Sequence, residues 1–166
     1  MMNTNRLKIV APATKYIDQY LEIRNSDFVL KYNPMPILTY ENALCEISEM
    51  IQNAYFIINQ TSNQLIGVIH LEKDQLRFDV NSIMISYYLH ENYCQQGYMY
   101  EALFQVIELL LNKYDIITAR VFFENIASRK LLEKLQFEQE GIIKKCVRYR
   151  GIIYDDVIYS KIKEAK

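Results

Sequence analysis

Residues 83–102, IMISYYLHENYCQQGYMYEA, constrain this chain more than any other stretch. An apolar, β-branched and aromatic run over 83–89 passes through a polar loop with a single glycine, Gly97. The chain then enters a segment with Leu103, Val106, Ile107 and Leu110 at helical spacing. A strand that feeds a long amphipathic helix in this way belongs to an α/β architecture. The junction also leaves backbone N–H groups unpaired at a helix N-terminus, where an anionic ligand can be held. One strand further along, residues 125–137, NIASRKLLEKLQF, read as a helix capped by Asn125 and followed by an aromatic.

The 166 residues are enough for one domain, 1–166, with a full core that needs no disulfide or metal. A net charge of -1 argues against a general nucleic-acid binder. The 3 cysteines, Cys45, Cys94 and Cys146, are odd in number and form no CxxC pair, which favours a reducing cytoplasm over a disulfide framework or zinc site. Residues 1–6 are polar with no apolar h-region after them, and no run approaches the roughly 18 apolar residues that span a bilayer. The expectation is a soluble cytoplasmic protein, monomeric or homodimeric, with no membrane or nucleic-acid partner.

Residues 7–11 read as a first strand, stopped by Pro12. Thr14 is placed to cap a helix to Arg24, and Thr39 a second helix to about Asn53 with Ala43, Leu44, Ile47, Met50 and Ile51 on its apolar face. Between them the segment Asn33-Pro34-Met35-Pro36 breaks regularity. Strands are expected over 54–59 and 65–72 as a hairpin, then over 83–89, 117–123, 141–150 and 152–162. Helices are expected over 98–113 and 126–135. The order is β–α–α–β–β–β–α–β–α–β–β, an α/β domain with a mixed sheet.

These residues resemble the GNAT N-acetyltransferase superfamily, and most of all its ribosomal-protein N-terminal acetyltransferase (RimJ/RimL-like) branch. That branch has an aromatic-rich strand, a loop of the form R/Q-x-x-G-x-G/A, and Glu-Ala opening a helix. The corresponding residues are Tyr87-Tyr88-Leu89, Cys94-Gln95-Gln96-Gly97-Tyr98-Met99 and Glu101-Ala102. Downstream come Asn125 and Ser128, then Glu133-Lys134-Leu135-Gln136-Phe137, Glu140-Gly141, and finally Asp155, Tyr159 and Ser160. The chain departs from the pattern at Met84, where a glutamate often stands, and at Ser86, Cys94, Met99 and Gln136. The resemblance implies a mixed, mostly antiparallel sheet flanked by helices, acetyl-CoA as cofactor and no metal.

It also implies roles. Gln95, Gln96, Gly97, Tyr98, Met99 and Tyr100 would present amides to a pyrophosphate, helped by the helix dipole. Tyr87, Tyr88 and Leu89 would run beside the pantetheine arm as an added strand would; periodicity alone makes them plain strand residues. Asn125 is a helix cap by position and a cofactor contact by resemblance. Ser128 would meet the leaving thiolate, since Leu132 stands where many members have a tyrosine acid; its other reading is a solvent-facing helix serine. Asp155 is a ligand for a substrate amine by resemblance, or a counter-charge to Lys144, Lys145, Arg148 and Arg150. The loop 32–37 and Tyr40 are candidates for the acceptor pocket. His70 reads as a packed core or edge histidine, and His90 and Glu91 as solvated loop groups or a proton relay.

The expected reaction is direct attack of a neutral primary amine on the acetyl thioester, with a strand amide at Leu89 steadying the oxyanion. No cysteine has the histidine partner of a covalent nucleophile. An α-amine of pKa about 8 is roughly a tenth neutral at pH 7, and a lysine only about one part in 2,500. Without the usual glutamate, an N-terminal or small-molecule amine is therefore favoured over lysine, and a protein N-terminal amine is the expected acceptor. A small amine (a polyamine, amino-acid derivative or antibiotic) is the alternative, and acyl-CoA binding without turnover is another.

Overall fold

The computed structural model describes residues 1–164. The strands are β1 (Met2–Asn3), β2 (Leu7–Val10), β3 (Ala54–Asn59), β4 (Leu65–Lys73), β5 (Ser82–Leu89), β6 (Ile116–Phe122), β7 (Glu138–Tyr149) and β8 (Ile152–Ile162). The helices are α1 (Ile17–Asn25), α2 (Asp27–Leu30), α3 (Tyr40–Glu49), α4 (Tyr98–Leu111) and α5 (Ile126–Lys134). Eight strands are ordered β1-β2-β3-β4-β5-β6-β8-β7. The β5–β6 pair is parallel, and the pairs β1–β2, β2–β3, β3–β4, β6–β8 and β7–β8 are antiparallel. This is the mixed, mostly antiparallel α/β fold expected from the sequence.

The chain forms two compact units, and β4, β5 and α4 each contribute to both. The first holds Met1–Leu71 and Tyr87–Gln105. Its core joins Ile17, Tyr20 and Ile23 of α1, Ala43 and Ile47 of α3, and Phe56, Ile58, Leu65 and Val68 of β3 and β4, with Tyr88. Tyr20 stacks on Phe56 with ring centroids 5.5 Å apart. Aromatic stacking of this kind adds to plain area burial.

The backbone departs from the sequence pattern at several points. Thr14 does not cap a helix: a 3-10 turn, Thr14–Tyr16, comes first, and α1 starts at Ile17 with no side-chain cap. Thr39 does cap α3, its Oγ1 accepting the Asn42 N–H at 3.3 Å. That helix stops at Glu49, because the Asn53 N–H turns back to the Met50 carbonyl at 2.9 Å, leaving Ile51 49% exposed rather than on the apolar face. Helix α2 was not expected; Ser26 caps it by accepting the Val29 N–H.

The second unit holds Glu72–Ser86 and the described residues from Val106 on. Strand β5 runs in register with β6 from Ser82↔Ile116 through Ile85↔Ala119, and β8 pairs the other edge of β6. Ile83, Ile85, Ile117, Val121, Leu132, Leu135, Phe137 and Val157 are buried. Phe122 stacks nearly parallel on Tyr154, with centroids 4.5 Å apart.

Candidate active site

Strand β5 leaves the first unit's core at Leu89, and the His90 N–H bonds the Ile66 carbonyl of β4 at 2.8 Å. His90 then caps a 3-10 turn, Glu91–Tyr93, its Nδ1 accepting the Asn92 N–H at 3.1 Å. Nδ1 is thereby fixed as acceptor, and Nε2 faces Glu22 at 3.7 Å. The following loop alternates in handedness. Gln95 has φ 59 and Gly97 φ 81, while Gln96 between them is not in the positive-φ region. Alternation of this kind turns successive backbone N–H groups to one side and makes an anion-binding concavity.

Helix α4 opens directly from that loop. Its first i→i−4 bond runs from the Glu101 N–H to the Gly97 carbonyl at 3.0 Å, so the helical ladder begins only there. Gln95, Gln96 and Gly97 are exposed, Tyr98 and Tyr100 half-buried, and Met99 buried. Met99, which replaces a small residue of the motif, is thus a core side chain. Tyr88 also points inward: it hydrogen-bonds Tyr20, and burial pushes its hydroxyl pKa well above the ordinary tyrosine value. Any cofactor role for Tyr88 and Leu89 therefore belongs to their backbone.

What the sequence reading missed is the brace under this loop. Between β1 and β2 a turn closes through Thr4 N–H to the Leu7 carbonyl at 2.9 Å and Leu7 N–H to Thr4 Oγ1 at 3.0 Å. The turn aims Thr4 and Arg6 at α4. Arg6 Nε donates to Glu101 Oε2 at 2.7 Å, its Nη1 to the Gln96 carbonyl at 3.0 Å, and its backbone N–H to Glu101 Oε1 at 3.1 Å. The guanidinium lies 4.2 Å from the Tyr98 ring centroid, and the Thr4 hydroxyl also donates to Glu101. Burial pulls the Glu101 carboxyl up, but the bonds from Thr4 and Arg6 outweigh it and hold the group below the usual glutamate value. A lone arginine in a polar N-terminal stretch carries no pattern that would mark it.

A cavity of about 450 Å³ in the same unit is lined by residues including Glu22, Gln64, His90, Asn92 and Tyr93. The candidate acceptor loop does not line it. That loop is instead pinned by Arg24 Nη1 to the Pro36 carbonyl at 2.6 Å and by two bonds between Asn25 and Leu38. His70 Nε2 lies 3.4 Å from the Tyr88 hydroxyl, as a packed histidine would.

Asn125 and Ser128 belong to the second unit, where Asn125 Oδ1 caps α5 by accepting the Ser128 N–H at 3.2 Å. The helix is docked by Arg129, whose Nη1 donates to the Phe123 carbonyl, and by the Tyr159 hydroxyl, which donates to Glu133 at 2.9 Å. Leu132 is fully buried and has no polar atom to offer. Asp155 accepts the Lys145 N–H at 2.7 Å and so serves the β7–β8 hairpin. The three cysteines are free; burial first, then Glu91, raises the Cys94 thiol pKa, and burial and Asp156 raise that of Cys146. Neither is an activated nucleophile.

The match to known proteins decides the family. The family model of the acetyltransferase (GNAT) domain matches residues 6–138. The chain belongs to the GNAT acetyltransferases. This N-acetyltransferase is 27% identical over 168 residues to an uncharacterized N-acetyltransferase, YnaD, of Bacillus subtilis, covering 98% of this chain and 97% of the relative. Its fold superposes on a GNAT-family acetyltransferase from Bacillus anthracis with a TM-score of 0.88, at 24% identity and 99% coverage of both chains. It superposes with a TM-score of 0.84 on RimL, a ribosomal L7/L12 α-N-protein acetyltransferase solved with coenzyme A, at 18% identity and coverage of 96% and 95%.

Proposed function

We propose that this N-acetyltransferase moves the acetyl group of acetyl-CoA to a protein N-terminal α-amine by direct attack. The observation that carries the cofactor is the alternation of Gln95 and Gly97 through positive φ ahead of a helix whose ladder starts at Glu101. That geometry suits a diphosphate bound by backbone amides, and it tolerates the side-chain departures at Cys94 and Met99. The coenzyme A bound to RimL, on the same fold, supports the same reading.

The thioester supplies the activated acetyl group. The chain's own part is to hold the diphosphate over 95–100, to align the arm along the backbone of Tyr87, Tyr88 and Leu89, and to offer the Leu89 amide to the oxyanion. Within the second unit, Asn125 orders the first turn of α5, the turn that carries Ser128. The α-amine is favoured because roughly a tenth of it is already neutral at pH 7 and it needs no strong base.

Thermal unfolding with acetyl-CoA, with ATP and NADH as controls, tests the cofactor. At ligand about 100 times Kd the gain is about 2.7 kcal/mol, or roughly 5–10 °C. Thiol release with a free peptide against its Nα-acetylated twin containing lysine tests the acceptor. Faster turnover of the blocked peptide would overturn the α-amine assignment.

A further inference from the structure

We propose that Arg6 is a positioning residue for the diphosphate-binding loop, one that shapes 95–98 without itself binding the ligand. The inference rests on the cofactor reading above and adds to it the group that sets the loop's geometry. Three contacts of the guanidinium go to groups of the loop and helix: Nε to Glu101 Oε2 at 2.7 Å, Nη2 to the same carboxylate at 2.7 Å, and Nη1 to the Gln96 carbonyl at 3.0 Å. Its planar face covers Tyr98 at 4.2 Å. One planar cation therefore grips the loop at Gln96, the first helical residue at Tyr98 and the first turn at Glu101.

Gly97 lies between those grips, and the Arg6 Nη2 is 3.5 Å from where a Cβ on Gly97 would stand. The φ values of Gln95 and Gly97 are ones that a free chain visits sparingly or, for glycine, only as one choice among several. A loop held in that shape before the ligand arrives does not lose as much entropy on binding. The bond from Arg6 also occupies the acceptor end of the Gln96 peptide. Lysine cannot reproduce this, because a point charge cannot meet a carbonyl, a carboxylate and a ring face at once.

The test compares Arg6→Gln and Arg6→Lys with the wild type in two measurements. Hydrogen exchange of the ligand-free protein reads the Glu101 amide, and calorimetry reads the Kd for acetyl-CoA. The expected result is about tenfold faster exchange at Glu101 and about tenfold weaker acetyl-CoA binding in both variants, with exchange in β3 and β4 unchanged. Full recovery by Arg6→Lys would reduce the residue to a long-range charge and overturn the proposal. Exchange accelerated equally in β3 and β4 would make Arg6 a general stability residue and overturn it too. Tight binding in Arg6→Gln alongside the wild type would sink the role of Arg6 alone. Absence of acetyl-CoA binding in the wild type itself would sink the cofactor assignment, and the proposal with it.

Discussion

Asp74 accepts a hydrogen bond from the Thr118 hydroxyl at 2.7 Å, with both side chains buried. The same carboxylate takes Arg77 Nη1 at 3.0 Å and the Leu76 N–H at 2.9 Å, and Arg77 also reaches Thr118 and Glu140. This network ties the loop after β4 to β6 and β7 within the second unit. Phe78, next to Arg77 in the same loop, is 95% exposed.

Burial pushes the Asp74 carboxyl up, but Thr118, the Leu76 amide and Arg77 outweigh it and hold its pKa below the usual aspartate value. A carboxylate depressed in the folded state stabilises the fold above its unfolded pKa, about 3.9, and that contribution is lost as pH falls through the lower folded value. Asp74→Asn should cost roughly 2–3 kcal/mol at pH 7, since it removes the charge facing Arg77 and strands a donor. Urea unfolding at pH 7 and near pH 3 checks this: the gap between variant and wild type should shrink in acid. A gap that is equal at both pH values would mean that ionisation of Asp74 plays no part.

Gln136 stands after α5 with φ 65, the left-handed position that a glycine fills in the family motif. Its strain is retained in the fold, offset in part by Lys161 Nζ, which donates to Gln136 Oε1 at 3.2 Å on the exposed surface. Gln136→Gly should therefore raise stability by about 0.5–1 kcal/mol, while Gln136→Ala should not. Thermal midpoints of the two variants separate relief of strain from loss of the side chain. A gain in Gln136→Ala equal to that in Gln136→Gly would remove strain as the cause.

The strands over 54–59 and 152–162 and the start of α4 at Tyr98 were legible because their patterns are long and their neighbours polar. Asn125 was legible as a cap because a single residue type in a single place carries that signal. Thr14 misled for the same reason. The rule names a residue type, and the backbone chose a 3-10 turn before α1. Ile51 misled because helical spacing continues past the point where Asn53 closes the last turn. Arg6 and Gly67 were invisible because their roles are long-range: Arg6 meets Glu101 across 95 positions, and Gly67 meets Tyr88 and Leu89 on the neighbouring strand.

Gly67 of β4 lies against the end of β5 that carries the candidate oxyanion amide. A Cβ there would lie 2.7 Å from the Tyr88 carbonyl oxygen and 2.8 Å from Leu89 Cδ1. The backbone cannot yield cheaply, so Gly67→Ala should push the end of β5 outward and cost about 1–3 kcal/mol. Turnover should fall more than stability alone explains, because the shift falls at Leu89. Initial rates well below the unfolding midpoint, where all of the variant is folded, check this. Full activity there would detach the Leu89 amide from the chemistry.

Ser128→Ala tests the leaving-group role while keeping the backbone N–H that completes the Asn125 cap at 3.2 Å. A thiol of pKa about 8.5 leaves as thiolate readily near neutral pH, so protonating it lowers the barrier only modestly. The expected loss in kcat is about tenfold, or about 1.4 kcal/mol, with the KM for acetyl-CoA unchanged. Asn125→Ala should behave differently: it removes the cap, costs about 1 kcal/mol in stability, and raises KM as the first turn of α5 frays. Thiol release measured with a free-N-terminal peptide distinguishes the two. A Ser128→Ala variant with wild-type kcat would return that serine to the surface of α5 and leave the thiolate to depart unassisted.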